Sequence, residues 1–273
     1  MSQLGHEKLR VYQHGVTYVS WVQTVLAGVD SSAAVLDHFD RAAESIIENI
    51  ANGNSRREKS DRNRYFDVAV GSVLESAACL DVCLCKQLLR HETQAEGKKQ
   101  LHRIVPMLIR LREAHIGRVQ EEGETYAAGR ACPDSMCFGH EQLDVYKVAL
   151  DLVLWVDRVI CASEFGGRYS SRLDKGSTAI VLNIAEGNGR FSCLDHRRFV
   201  DIAYTAAMKV ASTLDMIVAR KLAAAGELQG GKELLVRLVP LLLGLRGYLD
   251  RSEEPTSASV EGADRNAAKG TTW

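Results

Sequence analysis

Helix breakers and large aromatic core residues are scarce in this chain: four prolines and six phenylalanines in 273 residues. No segment alternates apolar and polar residues over the length of a strand, which argues against a sheet protein. No apolar run approaches the roughly 20 residues needed to cross a bilayer, and the opening Met1-Ser-Gln-Leu-Gly-His6 lacks the basic-then-apolar layout of a secretory signal. The expectation is a cytoplasmic protein with no membrane partner. Seven cysteines, an odd number in a chain this long, do not make a dense disulfide framework, so reduced thiols are expected. A large charge of one sign is missing as well, since 34 Lys and Arg face 35 Asp and Glu. That balance is uneven along the chain: residues 1–118 and 139–251 are each net +2, and the segments between and after them carry the acidity. With 46% hydrophobic and 25% charged residues, the composition is that of a folded protein, and the length suits two domains of ordinary size.

What the sequence does contain is itself, twice. Gly5-His-Glu-Lys-Leu-Arg-Val-Tyr12 recurs as Gly139-His-Glu-Gln-Leu-Asp-Val-Tyr146, an offset of 134 residues. Without a gap the same offset carries Trp21 onto Trp155, Asn49-Ile-Ala-Asn-Gly-Asn54 onto Asn183-Ile-Ala-Glu-Gly-Asn188, Leu80-Asp81 onto Leu214-Asp215 and Val105-Pro106 onto Val239-Pro240. A register held this long marks a duplicated unit. Copy one is assigned to residues 1–118, a linker to 119–137, copy two to 138–251 and a disordered tail to 252–273.

Each copy shows four helical stretches. In the first, Leu9, Tyr12, Val16, Val19 and Leu26 recur at three- and four-residue spacing, mirrored by Leu143, Tyr146, Leu150, Val153 and Ile160, and this stripe is the expected core seam. Gln23 and Asp157 hold matching seam positions, where each would place a polar group in the core. A second helix runs from about Val35 to Ala51, with Gly53, and Gly187 in copy two, placed as left-handed C-caps. Ser55-Arg-Arg-Glu58 and Ser192-Cys-Leu-Asp195 look like capping boxes opening the third helix, expected to reach about Leu89 and Ala225. The fourth helix carries Pro106 or Pro240, where a kink is expected. Four amphipathic helices joined by short turns bury their stripes as an up-down-up-down bundle, so the fold class is all-α: two tandem antiparallel four-helix bundles.

Asn183-Ile-Ala-Glu-Gly-Asn-Gly-Arg190, followed by Ser192, Asp195, Phe199 and Ile202-Ala203, resembles the four-helix-bundle family of 23S ribosomal RNA intervening sequence proteins. Leu143-Asp-Val-Tyr146 and Ala69-Val-Gly-Ser-Val-Leu-Glu75 carry the same resemblance. The accessory variability determinant of diversity-generating retroelements is similar, and that relationship implies a basic ring of five bundles that binds a reverse transcriptase and nucleic acid. Here Asn52 replaces the motif's acid in copy one, Lys209 replaces the third-helix glutamate in copy two, and Ile47 and Val181 stand where the family has a proline. Fused pairs of bundles cannot close a ring with an odd number of equivalent bundles.

Candidate binding residues crowd the turn into the third helix: Arg56, Arg57, Lys59, Arg62 and Arg64 in copy one, and Arg190, Arg197 and Arg198 beside His196 in copy two. Basic residues at a helix N-terminus oppose the macrodipole, so a phosphate-facing surface explains them better than helix stability does. A solvated charged turn is the competing reading. Cys79, Cys83 and Cys85 on the third helix invite a metal or redox site. Helical spacing takes Cys85 off the face of the other two, however, and copy two has Thr213, Ile217 and Ala219 there, so small core residues is the plainer reading. His6-Glu7 and His140-Glu141 invite acid–base or metal chemistry, but nothing like Glu-x-x-His accompanies them. The expectation is a non-enzymatic, cofactor-free accessory protein that binds RNA, DNA or their hybrid, and the resemblance implies a reverse transcriptase as its partner. The alternative is a purely structural homo-oligomeric scaffold.

Overall fold

The computed structural model describes residues 4–114, 137–162 and 166–253. The assigned linker and tail lie almost wholly outside these. Among the described residues there are eight α-helices and no strand: α1 (Arg10–Ala27), α2 (Ala34–Ser55), α3 (Lys59–Cys85), α4 (His91–Glu113), α5 (Asp144–Ala162), α6 (Gly167–Asn188), α7 (Cys193–Ala219) and α8 (Gln229–Glu253). In copy one each helix packs on its chain neighbours and α1 closes the square against α4; α5 to α8 repeat the arrangement. The fold is two tandem four-helix bundles, as the periodicity requires.

Each bundle is fastened by close approaches that leave no room for larger side chains. A Cβ on Gly97 of α4 would lie 2.6 Å from the Trp21 ring and 2.7 Å from Leu80, and one on Gly231 of α8 would run into the Trp155 ring. Gly97→Ala is therefore expected to cost about 1–3 kcal/mol through overpacking, read as a lower urea midpoint with an unchanged m-value. Gly53 and Gly187 belong to the same class. Both are buried within helices that run on to Ser55 and Asn188, and their φ angles are not positive. They are not C-caps: a Cβ on Gly53 would meet the Phe66 ring at 2.5 Å, and one on Gly187 would meet Phe199 at 2.9 Å.

Other local expectations divide. Ser192 caps α7 by accepting from the Asp195 N–H, whereas Ser55 ends α2, its hydroxyl donating to the Asn52 carbonyl, and α3 starts after Glu58, whose side chain makes no cap. The third helices stop at Cys85 and Ala219, short of Leu89 and Ala225, because Gln87 and Lys221 adopt left-handed φ of 56° and 57°. Pro106 and Pro240 sit inside α4 and α8.

The first-helix stripe turns out to be two faces. The core of copy one takes Val11, Gly15, Tyr18 and Val22 from α1, leaving Val16 exposed and Tyr12 and Val19 half-buried. In copy two the equivalents Tyr146 and Val153 are buried along with the bundle's own core residues. The difference is the neighbouring bundle: α3 packs on α5 and α6, and α2 packs on α6. Gln23 is exposed and Asp157 half-buried, so neither is a core polar group; Asp157 lies near Lys86 and Asp174 at this junction.

The helix caught between bundles, α3, is buried almost all round from Ala69 to Cys83. That explains why α3, contrary to the expectation from the sequence, is long and apolar enough to cross a membrane by length and composition. Its counterpart α7 passes the same test with its apolar window only 39% buried, against 78% for α3.

Candidate nucleic-acid interface and the seam between bundles

The α2–α3 turn displays Arg56, Arg57, Lys59 and Arg64 on the surface. Arg56 is tied locally: its guanidinium donates to the Tyr65 hydroxyl at 2.7 Å and lies 4.9 Å over that ring. Arg62 turns back into the bundle and donates to the Ala114 carbonyl at 2.7 Å. That leaves Arg57, Lys59 and Arg64, which have no ion-pair partner among the described residues, beside the exposed Glu58 and Asp61.

The copy-two residues are spread apart. Arg190 is 11% exposed, pairs with Glu186, stacks at 4.7 Å over Phe199 and packs against Gly71 of the other bundle. It is a structural residue of the bundle junction. Arg197 pairs with Asp250 at 3.0 Å and reaches Asp201 at 3.9 Å. Arg198 is exposed and lines, with Arg172, Lys175 and Lys209, an open groove of about 860 Å³ between α6 and α7.

A dense charge cluster lies in the seam between bundles, and it includes Glu141, which the sequence singles out beside His140. Lys98 of α4 pairs with Asp81 at 2.5 Å and with Glu141 of copy two at 3.0 Å. Asp81 also accepts from the Tyr146 hydroxyl at 2.8 Å and from the Gln94 amide at 2.5 Å. Lys86 pairs with Asp174, which in turn accepts from the Ala34 N–H at 3.0 Å. Burial pushes the Asp81 carboxyl above its ordinary value, and Lys98 works against that shift. His140 is fully buried between Phe138 and Tyr146, and neither ring nitrogen has a hydrogen-bond partner among the described residues. Desolvation, with Lys98 and His102 nearby, lowers its pKa to about 3. A signal for the cluster does exist in the sequence: Asp81 and Lys98 recur in register as Asp215 and Lys232.

Ligand atoms of Asp81, His140 and Glu141 lie within 4.8 Å of one another, a spacing that could hold a metal. The Lys98 ammonium already sits against both carboxylates, supplying the positive charge that a metal would bring. Of the helix-three cysteines, Cys79 and Cys83 are core residues and Cys85, off their face as the spacing suggests, is half-buried. Cys79 and Cys83 are buried, and desolvation raises the Cys83 thiol to about 12, so neither is a thiolate at neutral pH.

Comparison with known proteins agrees with the doubled architecture. The family described as 23S rRNA-intervening sequence protein matches residues 7–110 and again residues 141–244, the same 134-residue offset that the sequence repeat shows. No curated protein and no solved structure matches the chain.

Proposed function

We propose, for a chain that belongs to the 23S rRNA-intervening sequence protein family through both of its halves, a non-enzymatic accessory role in which copy one's α2–α3 turn contacts a nucleic-acid backbone. Family membership supports the accessory role in general. The observation that carries the finer reading is the trio Arg57, Lys59 and Arg64, exposed at the start of α3 and without ion-pair partners among the described residues. Cations held there against the helix dipole are relieved by a phosphate, which the free N–H groups of the same helix end also favour. The protein partner fitting this role is a reverse transcriptase, following the resemblance to the accessory variability determinant.

Binding of this kind depends on salt, because each phosphate that the protein neutralises releases condensed counterions. Replacing Arg57, Lys59 and Arg64 together by Ala should flatten the log K against log salt plot on duplex substrates, by up to about 0.9 units for every phosphate no longer neutralised. Fluorescence anisotropy with RNA, DNA and hybrid duplexes checks this. Absence of binding to all three at low salt ends the reading.

A further inference from the structure

His140 and Glu141 stand out in the repeat, and the nucleic-acid reading gives them no role. They sit on the short helical turn Gly139–Gln142 that leads into α5. Across the seam from them, α3 presents Asp81 and α4 presents Lys98. An oxygen of each carboxylate and a ring nitrogen of His140 lie within 4.8 Å of one another.

Hydrogen bonding in this cluster is incomplete, although buried polar groups are almost always paired. His140 is fully buried, yet neither of its nitrogens makes a hydrogen bond among the described residues. The same holds for Glu141 Oε1, from which the Lys98 ammonium stands 3.0 Å away without hydrogen-bond alignment. A neutral imidazole keeps one nitrogen with a lone pair. Two lone-pair donors therefore meet within a few ångströms with no proton to accept.

Charge is incomplete in the same place. Two carboxylates share a single ammonium, which leaves one negative charge uncompensated in a sheltered site, a costly arrangement. A divalent cation would neutralise both. Lys98 can give way to one, because its side chain keeps 13% exposure and its four-carbon stem can carry the ammonium out to water. The carboxylates are held more firmly. Asp81 accepts from the Tyr146 hydroxyl at 2.8 Å and the Gln94 amide at 2.5 Å, and Glu141 Oε2 accepts from the Cys137 thiol at 3.0 Å. Metal-ligating carboxylates are supported in this way from outside the first ring of contacts. The imidazole also selects the ion: calcium and magnesium prefer oxygen throughout, whereas a nitrogen beside carboxylates suits zinc.

We propose that Asp81, His140 and Glu141 form a binding site for one zinc ion, which enters as the Lys98 ammonium swings out to solvent. Water takes the fourth position of the tetrahedron. Asp81 belongs to copy one and the other two ligands to copy two, so the ion clamps the bundles to each other within a single chain.

Untagged full-length protein, stripped with EDTA and then freed of the chelator, is titrated with zinc chloride in competition with a chelating dye. The expected result is one zinc per chain at this site. His140→Phe and Glu141→Gln should each weaken it by more than about a hundredfold, and Cys137→Ala, which removes only an outer donor, by about tenfold. Lys98→Met removes the competing ammonium and should bind zinc about tenfold tighter or more, a gain that a lysine with a purely structural role would not produce. Urea unfolding gives a second readout. In EDTA near pH 7, His140→Phe should share the wild-type midpoint and Lys98→Met should fall below it. Zinc should raise the midpoints of wild type and Lys98→Met and leave that of His140→Phe in place. Wild type that takes up no zinc overturns the proposal, as does zinc bound equally by His140→Phe and Glu141→Gln. A Lys98→Met variant that binds more weakly than wild type, or magnesium bound as tightly as zinc, overturns it too.

Discussion

Lys98→Met is expected to lower the unfolding free energy by about 3–5 kcal/mol, the cost of leaving buried carboxylates without their counter-charge. The ammonium bridges Asp81 of copy one and Glu141 of copy two across the seam. Without it, two carboxyls share a sheltered site with a phenol, an amide and the Cys137 thiol as neutral donors, and at least one must take up a proton. Urea unfolding followed by far-ultraviolet circular dichroism measures the loss. Adding Asp81→Asn to Lys98→Met should recover part of it, because an amide tolerates burial where a carboxylate does not. Lys232→Met gives the internal comparison. Its partner Asp215 is 70% exposed, so in the isolated chain that change should cost about 0–1 kcal/mol, as surface pairs do. Equal losses in the two variants would show that the seam is not what makes Lys98 matter.

Fold class was legible because an apolar stripe repeated every three or four residues has few ways to bury itself, and the register of 134 residues shows the same solution used twice. Details failed where one face served two purposes. Tyr12, Val16 and Val19 have the spacing of a core seam, yet on α1 they lie outside the core that Val11, Tyr18 and Val22 form. Periodicity reports that a face is apolar; it does not report whether the helix's own bundle or a neighbouring one covers it. Helix ends failed for a different reason. A left-handed C-cap usually announces itself with glycine, and here Gln87 and Lys221 take that conformation while Gly53 and Gly187 serve close packing. Of the basic residues, Arg57, Lys59 and Arg64 are where the sequence suggests a surface. Arg62 and Arg190 are turned inward, and charge alone cannot reveal whether a guanidinium finds an internal acceptor. The Asp81–Lys98–Glu141 cluster stayed hidden because its members lie far apart in the chain and meet only when the bundles dock.

Acidification should destabilise the protein steeply through His140. In the unfolded chain this imidazole titrates near its ordinary value of 6.5, whereas in the fold burial holds its pKa down to about 3. Between those values the unfolded state binds a proton that the native state refuses, so the contribution is fully present above pH 6.5 and is lost as pH falls toward 3. The slope is about 1.4 kcal/mol per pH unit for one proton. Asp81 acts in the opposite sense, since burial raises its carboxyl and so favours the native state once pH drops below its folded value; it therefore offsets part of the loss. Replacing His140 by Phe keeps a flat ring between Phe138 and Tyr146 and removes the titrating group. That variant should match wild type near pH 7 and pull ahead of it by about 2–3 kcal/mol near pH 4.5 in urea titrations. If its stability falls as steeply with acid as wild type's, the imidazole is not the group that sets the slope. Lys98 then becomes the group to examine, for it faces the same ring and holds the seam's two carboxylates.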